Sequence, residues 1–324
     1  MATVIRKGIA LASHSPKKDG SPAHIFMDDL PTIELPLSHG QPLDHYIIDE
    51  EIGPRRLITP THVYRARERQ TNQVVVLKVL SLKFDREYAA QRALERFIRE
   101  ARVMKQLSHP NILPVLAVDW NPYTYWIVMP YCAKGTLADC LVARQHRPLT
   151  VTQACKLGMQ ICRALECAHT QMPPIIHRDI KPHNMLFADN AQLAVMDFGI
   201  AHIMYEPHLT QFDKAVGTPE YMAPEQLQMR DDAQPEKIDP RLDIYALGCV
   251  LYELLSGHPP FTGNSPQAVG LAHLRVPPKP LSLQNSQVNM GLQHIVHRAL
   301  EKDPTARYAS AGEFAHALAP FVEE

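Results

Sequence analysis

His177, Arg178 and Asp179 stand together in the chain, Asn184 follows after four intervening residues, and Asp197-Phe198-Gly199 begins thirteen residues beyond Asn184. Between these groups the apolar runs Met185–Phe187 and Leu193–Met196 flank a polar turn at Asp189-Asn190, so the stretch reads as a loop feeding a hairpin. A hairpin that short returns Asp197 close to Asn184 and converges Asp179, Asn184 and Asp197 on one spot. One carboxylate there can orient an attacking hydroxyl, and the other two groups can hold hard divalent cations. The competing account is a chance polar loop between strands. The number of residues at the required spacing weighs against it.

Such groups work only if larger elements hold them. The chain has 324 residues, 45% hydrophobic and 21% charged, which suffices for one large core or two unequal lobes. A formal net charge of −1 removes any electrostatic argument for a nucleic-acid or acidic-membrane partner. Residues 1–43, rich in Pro, Ser, His and Gly, read as a loosely ordered extension that could carry a docking segment around Ile25–Leu37. From Asp44 the pattern turns β-like, at Tyr46-Ile47-Ile48, Thr61–Arg65, Gln73–Leu80 and Trp126–Tyr131. Residues 86–107 are helical, with Leu94, Phe97, Ile98, Ala101 and Met104 on one face, and Glu100 lies at its margin. Thr152–His169 is a long core helix, ended before Pro173 and Pro174.

The six cysteines show no CxxC pair, and Cys155 and Cys162 share a helix face, so they read as buried thiols of a reducing compartment. The apolar run Gly8–Ala12 is too short for the core of a signal peptide. Leu242–Leu255 carries Asp243 and Glu253 and reads as a buried helix. The expectation is a soluble, cytoplasmic protein with no integral membrane segment and no nucleic-acid partner.

The spacing H-R-D-x-x-x-x-N followed by D-F-G resembles the protein kinases. The resemblance runs in family order over about residues 44–321. Its last part, with LYELLSGHPPFTGNSP and ALEKDPTARYASAGEF, is similar to bacterial Hanks-type serine/threonine kinases. It implies an α+β, two-lobed fold: a small antiparallel β lobe with one main helix (44–129), a hinge (130–132) and a large, mostly helical lobe (133–321). It further implies ATP with Mg2+, or Mn2+ in its place, bound between the lobes. A serine or threonine hydroxyl of a protein substrate would be the acceptor. Asp179 would orient that hydroxyl and take its proton late, while Asn184 and Asp197 would ligate the metal. Lys181 is the lysine of Ser/Thr-specific members and would neutralise the γ-phosphate.

By the same resemblance, Val75-Val76-Leu77-Lys78 is the strand of the phosphate-pairing lysine, with Val76 over the adenine. Glu100 is the expected partner of Lys78; Glu87 and Glu95 are the alternatives. Met129 is the gatekeeper, and Pro130-Tyr131-Cys132 is the hinge, where proline lacks only an N–H and Cys132 supplies the donor. Ile52, Gly53, Val63 and Leu186 complete the nucleotide-binding set. The main departure is in the glycine-rich hairpin. Gly53 to Val63 spans ten residues instead of the motif's seven, and only the first glycine remains. Arg55 and Arg56 there either contact phosphates or face solvent.

Gly217–Glu225 matches the family's substrate-facing loop, where Thr218 would bond Asp179 and Lys181. Thr210 is the phosphosite candidate, with Arg178 as the partner of its phosphate. Glu225 with Arg307, and Asp243 behind the HRD loop, are read as scaffold. MRDDAQPEKIDPRL is longer than the family leads one to expect and reads as a solvated loop, with docking as the alternative. The reading is therefore a serine/threonine protein kinase that autophosphorylates in its activation loop and acts in signalling; a homodimer is left open. A nucleotide-binding scaffold without transfer is the first rival, favoured by the altered glycine loop and opposed by Lys78, Glu100, Asp179, Asn184 and Asp197. A small-molecule kinase of the same fold is the second, opposed by Lys181 and the Ala-Pro-Glu segment.

Overall fold

β-branched and aromatic residues are concentrated in runs such as VVVLKVLS and TYWIVMP, which build one antiparallel sheet. The computed structural model describes residues 35–53, 61–81, 87–121, 124–188, 190–198, 219–228 and 239–322. Its first six strands are β1 (Pro42–Leu43), β2 (Tyr46–Glu51), β3 (Thr61–Glu68), β4 (Val74–Ser81), β5 (Ala117–Asn121) and β6 (Thr124–Pro130), in the order β1-β2-β3-β4-β6-β5. Val63 pairs with Lys78, Val76 with Met129, and Lys78 with Ile127. Side chains alternate along a strand, so Val63, Val76, Lys78 and Met129 share one face. Val75, Leu77, Val79 and Tyr64 fill the other and are buried.

Residues 35–43 differ from the loose extension expected of them. Leu37 and Leu43 are buried, the Leu37 amide donates to the Tyr64 hydroxyl at 2.9 Å, and Gly40 donates to the Ile48 carbonyl at 2.8 Å. The folded unit thus begins ahead of Asp44. A Ser-His-Gly-Gln-Pro run carries no periodicity, and backbone pairing to a distant strand leaves no local trace in it. β3 and β6 also run longer than expected, to Glu68 and from Thr124, because the ladder continues past the apolar residues. Helix α1 (Glu87–Gln106) buries Phe97, Ala101 and Met104 and, on the same side, Glu100.

Among the described residues, the second lobe is mostly helical apart from the hairpin β7 (Met185–Phe187) and β8 (Leu193–Val195). Its helices are α2 (Leu137–Ala143), α3 (Val151–His169), α4 (Pro224–Gln228), α5 (Arg241–Ser256), α6 (Pro266–Arg275), α7 (Leu281–Gln284), α8 (Met290–Ala299) and α9 (Ala311–Leu318). Every residue of α5 from Leu242 to Leu255 is buried. Gly158 of α3 lets that helix cross α5 closely, since a Cβ there would lie 2.7 Å from a Leu251 methyl. A Cβ on Gly248 would similarly lie 3.0 Å from Ala299 of α8. Among the described residues no helix is long and apolar enough to cross a membrane. None of the six cysteines is in a disulfide; burial pushes the Cys155 thiol up to about 12 and raises Cys162 and Cys249 as well, which keeps them un-ionised.

Arg307 ties the lower lobe together. Its guanidinium forks onto Glu225 at 2.6 and 2.8 Å and donates to the carbonyls of Glu301, Arg241 and Lys302. The arginine side chain is fully buried, so its removal strands the Glu225 carboxylate and three carbonyls. Arg307→Ala should cost about 3–5 kcal/mol in unfolding free energy. Urea unfolding of the variant with a loss below about 1 kcal/mol would show that the fork holds little.

Candidate active site

The catalytic-loop residues hang from α5. The carboxylate of Asp243, with no solvent exposure, accepts the amides of His177 at 2.8 Å and Arg178 at 2.7 Å, and faces His169 Nε2 at 2.8 Å. Burial alone would raise the Asp243 pKa, but the His169 hydrogen bond and charge, with His177, outweigh it and hold the carboxyl below its usual range. Arg178 sits at φ 67°, a conformation that costs free energy outside glycine. Two bonds hold it there: its amide to Asp243, and its carbonyl from Gln226 Nε2 at 2.9 Å.

The His177 ring sets the backbone on either side of the hairpin. Its Nδ1 accepts the Asp179 amide at 3.2 Å, so the proton lies on Nε2, which donates to the Met196 carbonyl at 2.8 Å. Phe198 packs edge-on against the ring at 4.7 Å. The next turn, Pro182–Asn184, places Asn184 Nδ2 on the Asp179 carbonyl at 2.7 Å and on its carboxylate at 2.8 Å. Lys181 Nζ lies 2.7 Å from the same carboxylate. Asp179, Lys181 and Asn184 are thus one cluster.

Lys78 leads a second cluster. Its Nζ lies 2.5 Å from Glu100 and 3.1 Å from Asp197, joining β4, α1 and the Asp-Phe-Gly turn. Burial opposes the ammonium, but the two carboxylates, Asp197 first, overcome it and keep Lys78 protonated far above neutral pH. Burial pushes Glu100 up, with the neighbouring Asp197 carboxylate adding to it and Lys78 opposing. Glu100, and not Glu95, is therefore the helix carboxylate at the lysine; the side chain of Glu95 is exposed. Met196 joins the clusters, its amide donating to the Asn184 carbonyl at 2.9 Å and its carbonyl accepting from His177. The amide oxygen of Asn184 and the carboxylate of Asp197 are hard donors suited to a divalent cation.

Along the sheet face above, Val63, Val76 and Met129 surround Lys78, and Ile52 donates its amide to the Val63 carbonyl at 2.9 Å. Leu186 bridges Thr136 beyond the connector that carries Pro130 and Cys132. Arg55, Arg56, Thr210, Thr218 and much of the MRDDAQPEKIDPRL segment lie outside the described residues. The sequence reading missed His169 and Gln226. A histidine in a helix's last turn reads as a partner of the helix dipole, and nothing local points to a carboxylate 74 residues on.

A β lobe, a helical lobe and a lysine-carboxylate cluster facing an Asp-Lys-Asn cluster define the protein kinase fold. The protein kinase domain family matches residues 59–318, and the chain belongs to that family. It is 36% identical over 276 residues to serine/threonine-protein kinase PknB of Mycolicibacterium smegmatis, covering 83% of this chain and 42% of the relative. A probable serine/threonine-protein kinase of Streptomyces coelicolor is 38% identical over 257 residues, 78% of this chain and 36% of that protein. One of Clostridium perfringens is 36% identical over 254 residues, 78% of this chain and 35% of that protein. The chain thus spans well under half the length of the curated relatives it matches.

His169 should act through Asp243. The depressed carboxyl contributes stability above its unfolded pKa of about 4, and that stability is lost as pH falls through the lower folded value. His169→Phe removes a donor and raises the folded value, so it should cost about 2 kcal/mol at neutral pH and move the acid loss to higher pH. Melting curves of variant and wild type that stay parallel between about pH 3 and pH 7 would refute this linkage.

Proposed function

We propose that this chain transfers the γ-phosphate of ATP to serine or threonine hydroxyls of protein substrates. The observation that carries the reading is the backbone of Met196, which holds the Asp179 cluster and the Lys78 cluster in one frame. Phosphoryl transfer asks for that: an oriented acceptor beside positioned positive charge. Asp179, its carboxylate fixed by Asn184 and Lys181, is the group that would accept the substrate hydroxyl's hydrogen bond and take its proton. Lys78, held protonated, would pair with the α- and β-phosphates, and Lys181 would face the γ-phosphate. Asn184 and Asp197 would hold Mg2+, which supplies neutralisation of the phosphate charge. Val76 and Met129 would border the adenine, with the Cys132 amide as donor.

Serine/threonine preference is supported by Lys181 and by the names of the three relatives. The scaffold reading is opposed by the assembled Lys78, Glu100 and Asp197, since a buried ammonium and two carboxylates are costly to retain without use. For the finer statements, Mg2+ is the favoured ion, Thr218 the link between Asp179 and the substrate, and Thr210 the autophosphorylation site. Residues 44–321 form the catalytic domain, extended upstream by the segment from Leu35.

The deciding assay is transfer of labelled γ-phosphate from MgATP to the protein itself and to a generic Ser/Thr substrate. Asp179→Asn and Lys78→Met should each lower it by about 100-fold or more. A wild type that transfers no label while ATP still raises its melting temperature would establish the scaffold reading instead.

Phosphopeptide mass spectrometry after incubation with ATP should find phosphate on the peptide holding Thr210, absent from Thr210→Ala. An unmodified wild-type peptide in a preparation that phosphorylates the generic substrate would remove Thr210 from the mechanism.

A further inference from the structure

One cation on the cleft face of the small sheet has no part in the cluster around Lys78. Strand alternation puts Arg65 on the same face as Val63, and its register partner is Val76, the residue that would border the adenine. Val63 pairs with Lys78, so the step from Lys78 to Val76 along β4 leads away from the phosphate end and toward the connector at Pro130. Arg65 therefore stands at the adenine end of the cleft face.

Its guanidinium is anchored on one side and meets a ring on the other. Nε donates to Asp49 of β2 at 3.3 Å, and Nη1 lies 2.9 Å from Glu50. The guanidinium carbon lies 5.8 Å from the centre of the Tyr131 ring, within the range of a cation–π contact. Hydrogen bonding to the Tyr131 side chain comes first among the causes that raise the Arg65 pKa, and Glu50 and Asp49 add to it against desolvation. Asp49 also meets Arg67 at 3.2 Å, so it keeps a cation when Arg65 is replaced.

Tyr131 has reason to need such a hold. The ladder between β4 and β6 ends at the pair Val75 and Pro130, which leaves Tyr131 as the first residue beyond it. Cys132 comes next, its carbonyl accepting the Gly135 amide at 3.1 Å. We propose that Arg65 is a positioning residue for the nucleotide: it clamps the Tyr131 ring to β3 and so fixes the Cys132 amide where the adenine edge would meet it, an assignment that rests on the nucleotide site proposed above. A planar guanidinium suits the task, because its face can lie on a ring while its N–H groups keep two carboxylates.

ATP titrations of Arg65→Leu, Tyr131→Leu, the double variant and Arg65→Lys give KM and kcat on the generic substrate, and calorimetry gives the dissociation constant of MgATP. Each leucine variant should raise KM and the dissociation constant about 3–10-fold, while kcat at saturating ATP stays within about twofold. The double variant should bind no worse than the weaker single one, since both remove the same contact. Arg65→Lys, which keeps the charge and loses the fork, should fall between wild type and Arg65→Leu. Unchanged ATP binding in the leucine variants, additive losses in the double variant, or a fall in kcat equal to that in kcat/KM overturns the clamp. The calorimetric constants decide it even in a protein that transfers no phosphate. A wild type that binds no MgATP overturns the nucleotide site itself, and the clamp with it.

Discussion

A single carboxylate at the centre of the helical lobe carries the geometry of the catalytic loop. Asp243 could not be ionised at zero exposure without several donors, because an isolated charge there would cost many kcal/mol. Two backbone amides and a histidine ring meet that need. The dependence runs both ways. The amides of His177 and Arg178 point inward only because Arg178 adopts a left-handed conformation, which the bonds to Asp243 and Gln226 stabilise. α5 is apolar on nearly every side, so its position is set by packing, and the loop inherits that rigidity.

From that anchor the order passes outward through atoms that carry no sequence signal. The His177 tautomer is imposed by the Asp179 amide on one side and the Met196 carbonyl on the other. Met196 hands the register to Asn184 through its own amide. Lys78 closes the frame from the other lobe, where one ammonium meets a helix carboxylate and a turn carboxylate. The His177 ring and the Met196 backbone thus tie the Asp179 loop to the strand leading into Asp197 through the backbone of position 196.

The sequence disclosed most of this, for a physical reason. Asp179, Asn184 and Asp197 are separated by loop and hairpin lengths that leave few ways to fold, whereas Lys78, far upstream, was legible only through the likeness of Val75–Lys78 to the kinase lysine strand. Periodicity set Glu100 at the margin of the buried face, and the likeness of RFIREARVMKQLSHPNI to the family is what favoured it over Glu95 and Glu87. What stayed hidden was contact between distant segments that obeys no period. His169 with Asp243 is one case, Gln226 with Arg178 another. Residues 35–43 are a third, since a polar segment that pairs with a strand by its backbone looks in sequence like any loop.

The described residues that flank the altered glycine hairpin have packing roles of their own. Gly53 has no left-handed φ to require glycine; what it provides is space, since a Cβ at that position would lie 3.0 Å from the Val63 Cβ. The amides of Ile52 and Gly53 both turn onto the Val63 carbonyl at 2.9 and 3.3 Å, fixing where β2 and β3 begin to part. The first glycine therefore serves strand packing, which is a separate demand from close backbone approach to phosphate. A longer insertion between those fixed ends costs little in closure entropy. The charges that phosphate would meet, on Lys78 and Lys181, are held by β4 and the catalytic loop instead. Lys78 and Lys181 are thus positioned by elements that do not depend on the hairpin.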